Sequence, residues 1–103
     1  MGIVELEQFK DIFKTTGAGA KKVYICGEVE LAGQMEQSAM NAARELNPFD
    51  ARMLKVAFDI GFASSIGFSK SKSACAPIPD QAKRSIEIMA KLKQSFADAK
   101  RKP

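Results

Sequence analysis

Apolar residues recur at steps of three and four along most of this chain, and this spacing constrains the fold more than any other feature. Such steps place side chains on one face of an α-helix, which has about 3.6 residues per turn. They cover about residues 3–14, 29–46 and 48–61, and they resume from Asp80. We therefore expect a mostly α-helical protein, folded as a compact bundle of four to five short helices.

The segments between these stripes carry residues that commonly end helices. Residues 15–20 include two glycines and predict a flexible connector, and residues 76–79 include two prolines and predict a second break. Asn47 ends the second stripe because it precedes a proline, which disfavours helical backbone at this position. Residues 23–26 read Val-Tyr-Ile-Cys, which favours a short extended segment that crosses the helices.

The length of 103 residues is usual for one domain, so we expect residues 1–103 to form one, with 98–103 as a flexible basic tail. No apolar run approaches the roughly 20 residues that cross a bilayer, so we expect no membrane span. The first 14 residues mix charged with apolar side chains, unlike a signal peptide. This composition predicts a cytoplasmic location.

The chain has two cysteines and no histidine. Two thiols alone do not make a structural zinc site, so we expect neither a bound metal nor another cofactor. We expect Cys26 and Cys75 to be reduced, partly buried thiols without an essential disulfide, because nothing in the sequence indicates an oxidising compartment. The missing histidine removes the commonest general base and the Ser-His and Cys-His pairs, so we expect no enzymatic activity.

Charge is divided unevenly between the two halves of the chain. Residues 1–50 hold five basic and eight acidic side chains, which gives −3, whereas residues 51–103 hold eleven basic and four acidic ones, which gives +7. This asymmetry suggests that a face built from the C-terminal half meets an anionic partner. Two solvated helix faces, or two faces that attract each other in a homodimer, would give the same pattern.

Residues 54–72 carry a pattern suited to a helix–turn–helix. Ala57 is small enough for close helix packing, Gly61 suits the turn, and Phe62 and Phe68 provide apolar anchors. With the serines that follow Phe62, this stretch resembles the second helix–turn–helix of AraC-type transcription regulators. A loop anchored by the two phenylalanines, or a loop that docks a protein, is also consistent with these residues.

Two functions from different classes follow from these patterns. The first is a small DNA-binding or regulatory protein, expected to be dimeric, that uses its basic C-terminal half on double-stranded DNA. Its predicted nucleic-acid-binding residues are Ser64, Ser65, Ser69, Lys70 and Lys72 in the motif, with Lys83, Arg84, Lys91 and Lys93 on the neighbouring helix. The alternative is a helical adaptor or inhibitor that binds another protein through an apolar Met/Phe surface. Of its methionines, Met35, Met53 and Met89 lie on the apolar stripes, where filling the core is their expected role.

Overall fold

Five helices make up the regular structure of the computed structural model, which describes residues 3–65 and 67–101. In chain order they are α1 (Ile3–Ile25), α2 (Val29–Ala43), α3 (Pro48–Ser64), the single-turn α4 (Lys72–Cys75) and α5 (Ile78–Arg101). The described residues contain no β-strand. The prediction of a mostly α-helical bundle is therefore confirmed.

The long helices form an up-down-up-down arrangement around one elongated core. Glu5 near the start of α1 lies beside Asp50 near the start of α3 and Lys100 near the end of α5, so α1 and α3 run in the same direction and α5 runs against them. The bundle measures 50 × 22 × 18 Å. The largest fully buried side chains come from all four long helices: Phe13, Val23, Met35, Leu54, Phe58 and Met89. The core-filling role predicted for two of the three methionines is thus confirmed, but Met53 is only partly buried.

The predicted connector at residues 15–20 is wrong, because these residues lie inside α1. Gly17 packs directly against the backbone of α3 at Phe58, and Gly61 of α3 packs against the backbone of α1 at Lys14. A Cβ atom at either glycine would overlap the facing carbonyl oxygen. The small residues therefore allow two helices to approach closely, and this contact offsets the low helix propensity of glycine.

The predicted extended segment near 23–26 is also wrong. Val23 belongs to α1 and is 1% exposed, so its burial against the other helices offsets the weak helix propensity of a β-branched residue. The helix ends two residues later at Ile25, and Gly27 just beyond it has a φ of 90°, a left-handed conformation. Gly27 N–H donates to the Tyr24 carbonyl at 3.0 Å and Glu28 N–H to the Val23 carbonyl at 3.1 Å, which is a Schellman cap.

The remaining helix boundaries differ from the predicted ones by a few residues. α2 ends at Ala43, and Asn47 caps α3 instead: its Oδ1 accepts from Asp50 N–H at 2.9 Å. α3 continues beyond Gly61 to Ser64. α5 begins at Ile78, two residues before the expected Asp80. Pro79 is tolerated at its second position because the first N–H groups of a helix make no hydrogen bond within it. It continues to residue 101 through most of the expected tail; residues 102–103 lie outside the described residues.

Candidate functional site: the outer face of α3 and the lysine end

A disulfide joins Cys26, just after α1, to Cys75, the last residue of α4. The two Cα atoms are 5.6 Å apart and the residues are 49 positions apart in the sequence. The prediction of two reduced thiols is therefore wrong. It failed because the thiols meet only after α3 and the following loop return to the end of α1, and no local pattern in the sequence reports that contact.

Two phenylalanines, Phe62 near the end of α3 and Phe68 in the loop that follows, hold this part of the chain against α1. The Phe62 ring lies 6.3 Å from that of Tyr24 in an edge-to-face contact, and Lys21 Nζ is 4.8 Å from its centroid. Lys22 Nζ is 5.9 Å from the centroid of the Phe68 ring. These contacts and the disulfide fix the loop at the C-terminal end of α1.

In the structure, residues 54–72 do not form a helix, a turn and a second helix at the positions that the sequence pattern predicts. Gly61, the expected turn, lies within α3, and Ser65 together with residues 67–71 lies outside any helix. Ser71 then caps the single turn of α4 through a 3.1 Å hydrogen bond from Ala74 N–H. The described residues therefore form the anchored loop, one of the alternatives that the sequence left open, and not a second long helix suited to a DNA groove.

The predicted nucleic-acid-binding residues fall into three separate places. Ser64 and Ser65 line a shallow groove between α3 and α1. Ser69, Lys70 and Lys72 are exposed on the loop and the first position of α4. The remaining four are exposed along α5: Lys83, Arg84, Lys91 and Lys93.

The exposed face of α5 carries charges of both signs. Glu87 follows Arg84 by three residues and precedes Lys91 by four, so all three lie on one helix face. Asp80 and Asp98 are also exposed, about two turns before Glu87 and about three turns after it, so they lie near the same face. This helix therefore does not present the continuous basic surface that the net charge of the C-terminal half suggests.

Four lysines belong instead to the segments at the end of the bundle that holds the disulfide. Lys21 contacts the ring of Phe62 near the end of α3, and Lys22 contacts the ring of Phe68 in the loop. Exposed Lys70 and Lys72 follow Phe68 by two and four residues. We call these four residues, Lys21, Lys22, Lys70 and Lys72, the lysine end. The sequence drew attention to the second pair but not to the first, which only the folded loop brings near.

Among the residues that the structure describes, α3 carries three exposed large apolar side chains on the side away from its buried face. Phe49 is 69% exposed, Val56 46% and Ile60 47%, whereas Leu54 and Phe58 on the opposite side are fully buried. Met53, which lies between Phe49 and Val56 in the sequence, is partly buried. Ala63, which follows Ile60, is exposed. We call the line formed by Phe49, Met53, Val56, Ile60 and Ala63 the α3 stripe. Its residues are spaced by four, three, four and three positions. This spacing is visible in the sequence, but the sequence prediction did not separate it from the buried stripe of the same helix.

Charged residues follow one edge of the α3 stripe. Exposed Arg52 and Asp59 lie one position before Met53 and Ile60, and Lys55 Nζ donates to Asp59 Oδ2 at 2.8 Å. This hydrogen bond, together with the charge of Asp59, raises the pKa of Lys55 above its usual value, so Lys55 is charged throughout the neutral range. The edge also borders a groove of about 350 Å³ between α2 and α3, lined by Arg44, Arg52 and Lys55 over an apolar floor.

The part of the chain that the structure describes offers few groups for other chemistry. No cluster of three or more possible metal ligands occurs among those residues. None of the described helices is long and apolar enough to cross a membrane. No protein-family model, curated protein or solved structure matches this chain.

Proposed function

We propose that this protein acts by binding another protein molecule through the α3 stripe. The observation that carries the proposal is the exposure of Phe49, Val56 and Ile60 on a helix whose opposite face is already buried in the core. A helix with apolar residues on two opposite faces usually has both faces buried. A partner molecule would bury the second face. A different protein and a second copy of this chain both belong to this class of partner.

The energy available from the stripe sets the strength of such a complex. Complete burial of a Val, Ile or Phe side chain contributes about 1.5–3 kcal/mol, so covering the exposed parts of Phe49, Val56 and Ile60 contributes roughly 2–5 kcal/mol on this chain. A micromolar complex needs about 8 kcal/mol net of the cost of association. The partner must therefore contribute a comparable apolar surface, and the charged edge would set its orientation.

Site-specific photocrosslinking tests this proposal. A benzophenone amino acid replaces Val56 in one variant and Ile88 in a control, since Ile88 on α5 is similarly exposed at 50%. Illumination in an extract of the source cells should give protein adducts at position 56 and few at position 88. Adding Ile60→Glu to the first variant should abolish them. Equal yields at both positions, or none at position 56, would contradict the proposal.

A second candidate function is binding of double-stranded DNA through the lysine end. It is favoured by the contacts of Lys21 with Phe62 and of Lys22 with Phe68, because the loop that begins after α3 and carries Phe68 also carries Lys70 and Lys72, so all four charges belong to one end of the bundle. Each phosphate that a lysine neutralises contributes about −0.9 to the slope of log affinity against log salt. This proposal is limited to phosphate contacts, because the loop offers no long helix for reading bases in a groove.

Charge reversal separates the lysine end from the α5 residues. Lys70→Glu with Lys72→Glu should weaken binding to duplex DNA broadly and flatten its salt slope by roughly two units. Lys91→Glu with Lys93→Glu makes the same change in charge on α5 and should alter the slope less. Anisotropy titrations at several salt concentrations measure both. No binding by the wild type at low salt would rule out this candidate, and equal losses in both variants would rule out the lysine end as its site.

Two further expectations remain predictions. The lack of enzymatic activity rests on the missing histidine. The cytoplasmic location has one observation against it, since stable disulfides such as Cys26–Cys75 are uncommon in reducing compartments. A thiol count on the protein as it occurs in its source cells would test that location.

A further inference from the structure

We infer that the partner of the α3 stripe is a second copy of this chain, paired antiparallel along α3; the inference rests on the proposed protein-binding function. The spacing of four, three, four and three from Phe49 to Ala63 is the a/d spacing of a coiled-coil heptad, maintained over two heptads. Met53 and Ile60 occupy a positions, and Phe49, Val56 and Ala63 occupy d positions. A surface with this spacing fits another helix of the same spacing.

An antiparallel pair of α3 helices matches large residues with smaller ones. In antiparallel coiled coils each a residue packs in a layer with a d residue of the other helix. With the two-fold axis between Met53 and Val56, Phe49 faces Ile60 of the other copy and Met53 faces its Val56. The two most exposed large side chains of the stripe, Phe49 and Ile60, therefore cover each other.

The charged edge is self-complementary in the same register. Arg52 and Asp59 are seven residues apart, and both precede an a residue, so both are g positions on one edge of the helix. The g edges of two antiparallel helices face each other, which places Arg52 of each copy beside Asp59 of the other. A parallel pair would not bring these edges together, so the charges favour the antiparallel arrangement.

The size of the stripe predicts a weak dimer. The exposed parts of its three largest exposed side chains amount to roughly 300 Å² of apolar surface per copy, against about 800 Å² per partner in a standard stable interface. Two such stripes contribute roughly 4–10 kcal/mol before the cost of association, so we expect reversible self-association with a dissociation constant of about 100 μM or weaker. Dimers at this strength are populated only at high protein concentration.

Sedimentation equilibrium of the purified protein over a wide concentration range tests the inference. The wild type should show a monomer–dimer equilibrium. Ile60→Glu, which places a carboxylate against Phe49 of the other copy, should raise the dissociation constant at least about a hundredfold. Ile88→Glu introduces the same charge at a site equally exposed on α5 and should leave the constant unchanged. Circular dichroism confirms that the variants remain folded.

A charge swap tests the antiparallel register. Arg52→Asp alone should weaken the dimer about tenfold, because each copy then presents two acids to the other. Arg52→Asp combined with Asp59→Arg restores opposite charges across the two-fold axis and should recover most of that loss. A double variant weaker than the single one would overturn the antiparallel register.

The outcomes distinguish this inference from the function on which it rests. A wild type that stays monomeric up to millimolar concentration overturns the second copy as partner. If position 56 nevertheless crosslinks to a different protein in extract, the protein-binding function stands without it. A monomer that also gives no adduct at position 56 overturns both.

Discussion

Removing the Cys26–Cys75 disulfide should lower the stability of the fold by several kcal/mol. The bridge spans 49 residues. Closing a loop of this length in the unfolded chain lowers its entropy by about 14 cal/mol/K, which corresponds to about 4 kcal/mol at 25 °C. A domain of about 100 residues loses roughly 4–5 °C of Tm per kcal/mol. Reduction should therefore lower the Tm by about 10–20 °C, the upper value applying when the reduced fold is otherwise unchanged.

Thermal melts followed by circular dichroism, with and without a non-thiol reductant, measure this shift. The double variant Cys26→Ser with Cys75→Ser should melt near the reduced wild type and should not respond to the reductant. A thiol assay in denaturant should find no free thiol in protein purified in air, and two after reduction. Melts that differ by less than about 5 °C, or two thiols before reduction, would refute a structural role for the bridge.

Two further predictions concern helix packing and capping. Gly17→Ala should lower the free energy of unfolding by about 1–3 kcal/mol, since its new methyl group meets the Phe58 carbonyl, whereas Gly33→Ala, in open space on α2, should raise it by about 0.5–1 kcal/mol. Urea titrations compare the two, and stabilisation by both would refute the close helix crossing. Asn47→Ala should cost about 1 kcal/mol by the same assay, because Asp50 N–H loses its cap; no change would show that the cap contributes little.

The helical class of the fold could be predicted because its signal is local. Each long helix buries a stripe such as Ala82, Met89 and Phe96 on α5, and the spacing of such a stripe is visible in the sequence without knowledge of its neighbours. The boundaries near Asn47 were likewise approximately right, since proline and its capping residue act on adjacent backbone.

The errors in the prediction come from contacts between residues distant in the sequence. Gly17 lies within a helix because Gly61 lets a second helix approach it, and neither glycine alone predicts this. Cys26 lies beside Cys75 because the chain after α3 returns to the end of α1, where Phe62 and Phe68 also contact that helix. The lysine end forms through the same contacts, so the basic half of the sequence did not identify which lysines lie near one another.

The antiparallel pair that we propose would couple the two proposed activities. Ser64, at the C-terminal end of α3, is nearly ten residues from the two-fold axis, so the two copies of this end lie about 30 Å apart at 1.5 Å per residue. Each end carries one set of lysines, and one turn of B-DNA spans about 34–36 Å. A dimer could thus place both lysine ends on one face of a duplex, where the second contact benefits from a high effective concentration.

This coupling predicts that a change on the α3 stripe alters DNA binding at a distance. Ile60→Glu leaves every residue of the lysine end intact, yet it should weaken binding to a duplex of two helical turns about tenfold or more and halve its salt slope, since each monomer then contacts the phosphates alone. On a duplex too short to contact two lysine ends, Ile60→Glu and the wild type should bind with the same affinity. Ile88→Glu should bind like the wild type on both the long and the short duplex. If Ile60→Glu keeps the wild-type affinity on the long duplex although sedimentation shows it to be monomeric, the lysine ends act singly and the two surfaces serve separate partners.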